Sequence, residues 1–347
     1  MRLERRTNVP LHLVVLAPLT AVFAALFLAA GLIAAAGVNP LAAYAEMLTG
    51  AFGSRLSITE MLTRATPLIF TGLAAAVAFR ARLWNIGGEG QFFVGALVTA
   101  GLGHSLGVPG WIGIPLLMLA GMVAGALLLA GPAFLRLRFG VDEVVTTLLL
   151  NFIVILFVGL MIEGPMRDPL AFGWPSSVPV DGEFRLPELI PRSRLHIGLL
   201  FAIAAAAAVW MVLARTVFGA ETRAAGMNAS AAAFAGISLP RTIMGVALLS
   251  GALAGLAGSI EVMGVTAGVT TTMSPGFGYA GIVVAMLAAL HPAGVVAAAV
   301  FVATVFVGAD AMSRATGIPS FIADVIVALS LLTMLVALLL TTYRVRR

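Results

Sequence analysis

The chain has no lysine and no cysteine: all 20 basic residues among its 347 are arginine. Charge is scarce too, at 10% of residues, against about a quarter in an ordinary soluble domain. Each absence removes chemistry. Without lysine there is no Walker A loop to hold the phosphates of ATP, and no amine for a retinal or pyridoxal Schiff base. Without cysteine there are no disulfides, thiolate nucleophiles, iron–sulfur clusters or CxxC zinc sites, and no clue to the redox compartment. The four histidines, His12, His104, His196 and His291, are too scattered for a motif such as HExxH. Most enzyme classes lose their reagents, and no cofactor or metal is expected.

What is present is apolar. Hydrophobic residues make up 61% of the chain, with 38 glycines and a mean hydropathy of +1.09. A hydrocarbon core needs about 20 apolar residues per helix. That ruler predicts an all-α polytopic membrane protein in one transmembrane domain, with about ten spans. These lie near 11–36, 65–79, 91–107, 111–134, 142–162, 196–214, 242–263, 278–290, 293–309 and 319–341. The first is too long for a signal-peptide core and reads as a retained span.

The formal charge of +5 and pI near 10.9 do not indicate nucleic acid, because the arginines are spread thinly between apolar runs. They record orientation instead. With the N-terminus inside, Arg2, Arg5, Arg6, Arg80, Arg82, Arg136, Arg138, Arg215, Arg223, Arg241, Arg344, Arg346 and Arg347 all fall in inner segments. Arg55, Arg64, Arg167, Arg185, Arg192, Arg194 and Arg314 fall outside, four of them in one long polar loop, 163–195, that also holds six prolines. Both termini are then cytoplasmic and 163–195 is an extracytoplasmic loop.

Irregular backbone at membrane depth is tolerated only when it is buried in protein or lines a water-filled path. Two glycine-rich stretches fit this: Trp84 to Gln91, and Met273 to Tyr279. Each precedes an apolar helix, and Gly88-Glu89-Gly90-Gln91-Phe92-Phe93-Val94-Gly95 resembles Gly276-Phe277-Gly278-Tyr279-Ala280-Gly281. An inverted repeat of spans 2–5 and 7–10 follows, with a pathway at the repeat interface. Its candidate lining is Asn85, Glu89, Gln91, Asn151, Phe277 and Tyr279. Amide and carboxylate groups suit hydroxyls or a base edge, and aromatic rings stack. Plainer readings stand beside these. Glu89 suits a helix N-terminus, and Asn151 and Glu261 suit interhelical hydrogen bonds. The Gly121/Gly125, Gly251/Gly255 and Gly264/Gly268 pairs read as close helix packing.

Residues 216–240, between spans 6 and 7, are alanine-rich and end at Pro240, predicting a short helix along the cytoplasmic face. Arg223-Ala224-Ala225-Gly226-Met227-Asn228, Ala235-Gly236-Ile237 and Leu249-Ser250-Gly251-Ala252-Leu253-Ala254-Gly255-Leu256-Ala257-Gly258 resemble ABC-importer permeases of the ribose and branched-chain amino acid group. Asn85-Ile86-Gly87-Gly88-Glu89-Gly90-Gln91 and the stretch Gly140 to Asn151 resemble the nucleoside branch of that group. The resemblance runs over roughly residues 10 to 340.

The resemblance implies a permease subunit of an ATP-driven importer for nucleosides or simple sugars in the bacterial inner membrane. Its partners would be a second, related permease in a heterodimer, a cytoplasmic ABC ATPase, and a periplasmic or lipoprotein substrate-binding protein. Residues 216–240 would be the coupling loop, with Glu221, Arg223, Gly226, Asn228, Gly236 and Ile237 as coupling residues. One departure is the glycine at 226, one position off the usual spacing of the importer coupling motif that ends here in Ile237-x-Leu239-Pro240. The rival is a stand-alone ion- or proton-coupled transporter. It would need a buried acid or histidine relay, where only Glu89 and Glu261 stand out.

Overall fold

The computed structural model describes residues 2–5 and 11–346. Thirteen α-helices occur among them: α1 (Leu11–Ala35), α2 (Pro40–Phe52), α3 (Arg55–Arg80), α4 (Gly88–Gly103), α5 (Gly110–Phe139), α6 (Glu143–Glu163), α7 (Gly198–Arg215), α8 (Val217–Met227), α9 (Ala229–Phe234), α10 (Leu239–Glu261), α11 (Phe277–Leu287), α12 (Pro292–Thr316) and α13 (Ile322–Thr342). A π turn, Val262–Thr266, extends α10. Two short strands, β1 (Arg2–Arg5) and β2 (Tyr343–Arg346), pair antiparallel and bring the two ends of the chain together.

Every predicted interval falls on a helix, but crossings are fewer than ten by length. Among the described residues six helices are long and apolar enough to cross a bilayer, and the α1–α2 pair, bent by 115°, makes a seventh. At 16 and 11 residues, α4 and α11 reach only about 24 and 16 Å. Neither reaches across a hydrocarbon core of about 30 Å. Helix α2 has no counterpart among the predicted spans because its 13 residues are too few. Pro40 opens it, the Asn39 side chain caps it, and Ala43, Met47 and Ala51 line its buried face.

Helix α3 is longer than its predicted interval. Every residue from 65 to 79 is buried. Thr63 and Thr66 turn their hydroxyls back onto the carbonyls of Thr59 and Leu62. Those bonds let polar residues, which hydropathy reads as loop, sit inside the bundle.

The packing maps onto itself when α3 is exchanged with α10, α4 with α11, α5 with α12 and α6 with α13. Helix α3 packs on α11 and α12 as α10 packs on α4 and α5. Likewise α4 meets α6 as α11 meets α13, and the pairs α3–α10 and α4–α11 touch across the centre. Small residues allow this closeness. A Cβ on Gly251 would lie 2.3 Å from the Gly125 carbonyl oxygen, and one on Gly255 2.2 Å from that of Gly121. Two of the three glycine pairs thus seal α5 to α10. Gly264 and Gly268 do something else: they face His196 and Ser177 of the long loop.

That loop, 164–197, lies along the π turn and the non-helical stretch after it. Backbone N–H groups of Leu186, Val180 and Ser177 donate to the carbonyls of Met263, Ala267 and Val269. Arg185 donates to Val262 and Val265. Carbonyls that an interrupted helix leaves unpaired therefore find partners in protein.

Helix α7 begins at Gly198, so His196 belongs to this loop and not to the predicted span. It is 1% exposed. Its Nδ1 accepts from the Gly198 N–H, which places the neutral ring's proton on Nε2. Burial, with Arg185 and Arg194 near, pushes its pKa down to about 4. Folding therefore disfavours the protonated ring. The unfolded chain binds more protons between its ordinary value of 6.5 and about 4. The thermal midpoint of the purified protein is expected to hold steady above pH 6.5 and to fall as the pH drops towards 4. The full loss amounts to about 3 kcal/mol. A His196→Gln variant should titrate with a shallower slope over that window.

Candidate functional site

The two glycine-rich breaks meet. Helix α4 starts at Gly88 and α11 at Phe277, and their N-termini are packed so closely that a Cβ on Gly278 would lie 2.1 Å from the Glu89 nitrogen. Glu89 is buried, and its Oε2 accepts the Gly278 N–H at 2.6 Å. The carboxylate of one break thus caps the helix that follows the other. Ser274 prepares the second break locally, its Oγ accepting from Gly276 and Phe277 N–H at 3.1 and 2.9 Å. Gly276, at φ 86°, takes a left-handed conformation that suits glycine. Thr71 of α3 donates to the Phe277 carbonyl at 2.9 Å.

Asn151, on α6, clamps both breaks. Its Oδ1 accepts from Gly90 N–H at 2.8 Å, and its Nδ2 donates to the Ile86 carbonyl at 2.8 Å and to Tyr279 Oη at 3.2 Å. Thr147, one turn earlier, receives the Ile86 N–H at 3.2 Å. Backbone freed by the first break is thereby satisfied across a helix interface.

Asn85 and Gln91 face each other. Asn85 Nδ2 donates to Gln91 Oε1 at 3.0 Å, and Gln91 Nε2 returns a bond to Asn85 Oδ1 at 2.8 Å. Asn85 also donates to Ser250 of α10 at 3.1 Å and accepts from Gly87 N–H at 2.9 Å. Both amides are buried, and Asn85 has all its hydrogen-bonding atoms engaged within the protein. In this conformation they staple the first break. Phe277 is also buried, against Phe92 with ring centroids 5.9 Å apart. Tyr279, 37% exposed, is the one of the six candidates that reaches open space.

That space is a groove of about 440 Å³ between α11, α12 and α13, which Tyr279 shares with Phe306, Asp324, Val327 and Leu331. Asp324 was missed in the sequence because it opens a long apolar run, whose average hides one acid. Glu261 belongs to a different cluster, among the charges of Glu60, Arg64 and Arg194. There Arg64 pairs with Glu60 and with Asp310 at 3.2 and 2.8 Å.

Residues 216–240 form two helices, α8 and α9, where one was expected. Asn228 divides them by capping α9 through the Ala231 N–H at 3.0 Å. Glu221 accepts from Thr242, and Arg223 donates to the Leu213 carbonyl, so both turn toward the bundle. Gly226 lies against the end of α3, where a Cβ would meet the Arg80 carbonyl oxygen at 1.9 Å. Gly236, at φ 87°, closes α9, and Ile237 N–H returns to Ala232. The outward apolar groups are Val217, Met227 and Phe234, the last 97% exposed.

Paired half-helices, broken at facing glycine turns inside a many-helix bundle, define a multi-pass membrane transport protein. The chain belongs to the family described as branched-chain amino acid transport system / permease component, whose model matches residues 57–342. Over 99% of its length it is 34% identical to the glucose ABC transporter permease protein TsgB13 of Haloferax volcanii, covering 93% of that protein. It is also 34% identical to the guanosine ABC transporter permease protein NupP of Bacillus subtilis, over 92% of each chain. The nucleoside ABC transporter permease protein NupB of Lactococcus lactis is again 34% identical, over 90% of this chain and 88% of its own. No solved structure matches. The chain is thus a permease subunit of an ABC importer, without an ATPase site of its own, that works with ATPase and binding-protein partners. Nothing among these relatives favours the stand-alone ion-coupled transporter.

Proposed function

We propose that this subunit forms one wall of a path for nucleosides or simple sugars, and that the path runs past the α4–α11 junction. The observation that carries the reading is the Glu89–Gly278 bond at 2.6 Å, which joins the two half-helices at the interface of the two repeats. Similar relatives named for glucose, guanosine and nucleosides share a hydroxylated ring as substrate chemistry. In this reading Glu89, Asn151, Phe277 and Tyr279 act at or beside the path, and the Asn85–Gln91 pair holds its frame.

A second, related permease completes the path from the other side as a heterodimer. The termini are cytoplasmic, in keeping with the arginine bias and with the pairing of β1 with β2. The loop 163–195 lies outside. The α8–α9 hairpin, 216–240, faces the ATPase: Glu221, Arg223, Gly226, Asn228, Gly236 and Ile237 set its shape, and Met227 and Phe234 stand outward. ATP-driven closure of the motor domains moves the hairpin, and Gly226 passes the movement to α3 by direct contact.

The test is uptake of labelled guanosine and glucose into proteoliposomes holding the whole complex. Uptake of at least one is expected, strictly dependent on ATP on the hairpin side and on the binding protein opposite. Uptake by this chain alone without ATP would overturn the proposal.

A further inference from the structure

The groove beside Tyr279 holds an acid that no base pairs with among the described residues. Asp324 lies in the first turn of α13 and is exposed at the groove. The ion pairs among the described residues join Arg64 to Glu60 and Asp310, Arg136 to Glu143, and Arg194 to Glu60, so none engages Asp324. The charge that acts on it is Asp310, of the same sign and already held by Arg64 at 2.8 Å. The rest of the lining is mostly apolar: Val283 of α11 and Phe306 of α12 face α13, Val327 and Leu331 flank Asp324 along α13 itself, and Tyr279 is bonded by Asn151. A volume of about 440 Å³ is in the range of small-molecule sites.

An ionised carboxylate only accepts hydrogen bonds, and its two oxygens can receive two donors side by side. Adjacent hydroxyls on a ring present that pair of donors. The apolar wall and the tyrosine ring suit the less polar face of the same molecule.

We propose that the groove between α11, α12 and α13 is a substrate site in which Asp324 accepts hydrogen bonds from two vicinal ring hydroxyls while Tyr279 and Phe306 pack against the ring or base. This rests on the reading of the chain as a permease for hydroxylated-ring solutes and adds a specificity-determining residue to it. Asp324 selects for the diol. The substrate class is the ribonucleoside or pyranose, as opposed to its deoxy analogue.

Uptake by the reconstituted complex is to be compared for guanosine against 2′-deoxyguanosine and for glucose against 2,4-dideoxyglucose, each comparison compound lacking any vicinal pair of ring hydroxyls, in wild type, Asp324→Asn and Asp324→Ala. The wild type is expected to favour the hydroxylated member of the transported pair by tenfold or more. Asp324→Asn, which replaces one acceptor by a donor, should bring that preference below threefold, mainly through a higher KM for the hydroxylated member. Asp324→Ala should erase it. An unchanged preference in both variants would overturn the role of Asp324 and leave the permease reading intact. Failure of the wild-type complex to take up either pair would overturn the hydroxylated-ring reading and the assignment with it.

Discussion

Gly278→Ala is expected to abolish uptake and to lower the thermal midpoint of the purified complex by several degrees. The new methyl would sit 2.1 Å from the Glu89 nitrogen and 2.4 Å from the Gly88 carbonyl carbon. Both are backbone atoms, which cannot swing aside as a flexible side chain does. Relief requires the two half-helices to part. Overpacking of this kind typically costs 1–3 kcal/mol, and here the displacement falls on the Glu89–Gly278 bond itself. Gly131→Ala is the control: in α5 nothing lies within 4 Å of the added carbon, and stability and uptake should match the wild type. If Gly278→Ala behaves like the control, the two breaks are not in contact and the proposed path loses its basis.

The second large effect belongs to Glu89. Replacing it by alanine removes the acceptor of the buried Gly278 N–H and leaves that donor unsatisfied, at a cost of about 1–3 kcal/mol. At 1.4 kcal/mol per factor of ten, uptake by Glu89→Ala should fall by about fivefold to a hundredfold if the whole cost falls on the transport-competent state. Glu89→Gln keeps an oxygen that can accept the same bond and should retain a larger share of uptake. A structural cap predicts that Gln behaves almost as wild type. A carboxylate that also meets the substrate predicts that Gln raises the KM while the thermal midpoint stays high. Alanine and glutamine variants that both transport normally would remove Glu89 from the path altogether.

Much of this was legible in the sequence, for identifiable reasons. Glycine clusters beside apolar runs mark helix interruptions, and the two so marked are those that meet in space. Asn151 carried an ambiguous signal, pathway or interhelical bond; in the structure it bonds both breaks. The reciprocal Asn85–Gln91 pair was not legible, because a spacing of six residues predicts a contact only once the chain is known to turn at Gly87. Buried threonines hid the first turns of α3, since hydropathy scores a hydroxyl without knowing that it bonds its own helix. Asp324 was hidden by the opposite fault, an average dominated by apolar neighbours. The third glycine pair, Gly264/Gly268, fits a helix-packing motif but makes room for a loop. A motif of small residues specifies closeness, not the identity of the neighbour.

The bond between Ser177 and Val269 spans 92 residues of sequence, and it has a consequence for biosynthesis. At about 5–20 residues per second, a ribosome needs roughly 5–18 s to make the stretch that separates them. Through that interval the nascent loop waits for the π-turn segment that will receive its amide protons. Protease or chaperone capture of the nascent chain should therefore concentrate on residues 164–197 until the segment 262–269 has followed α10 into place, and cease once it has.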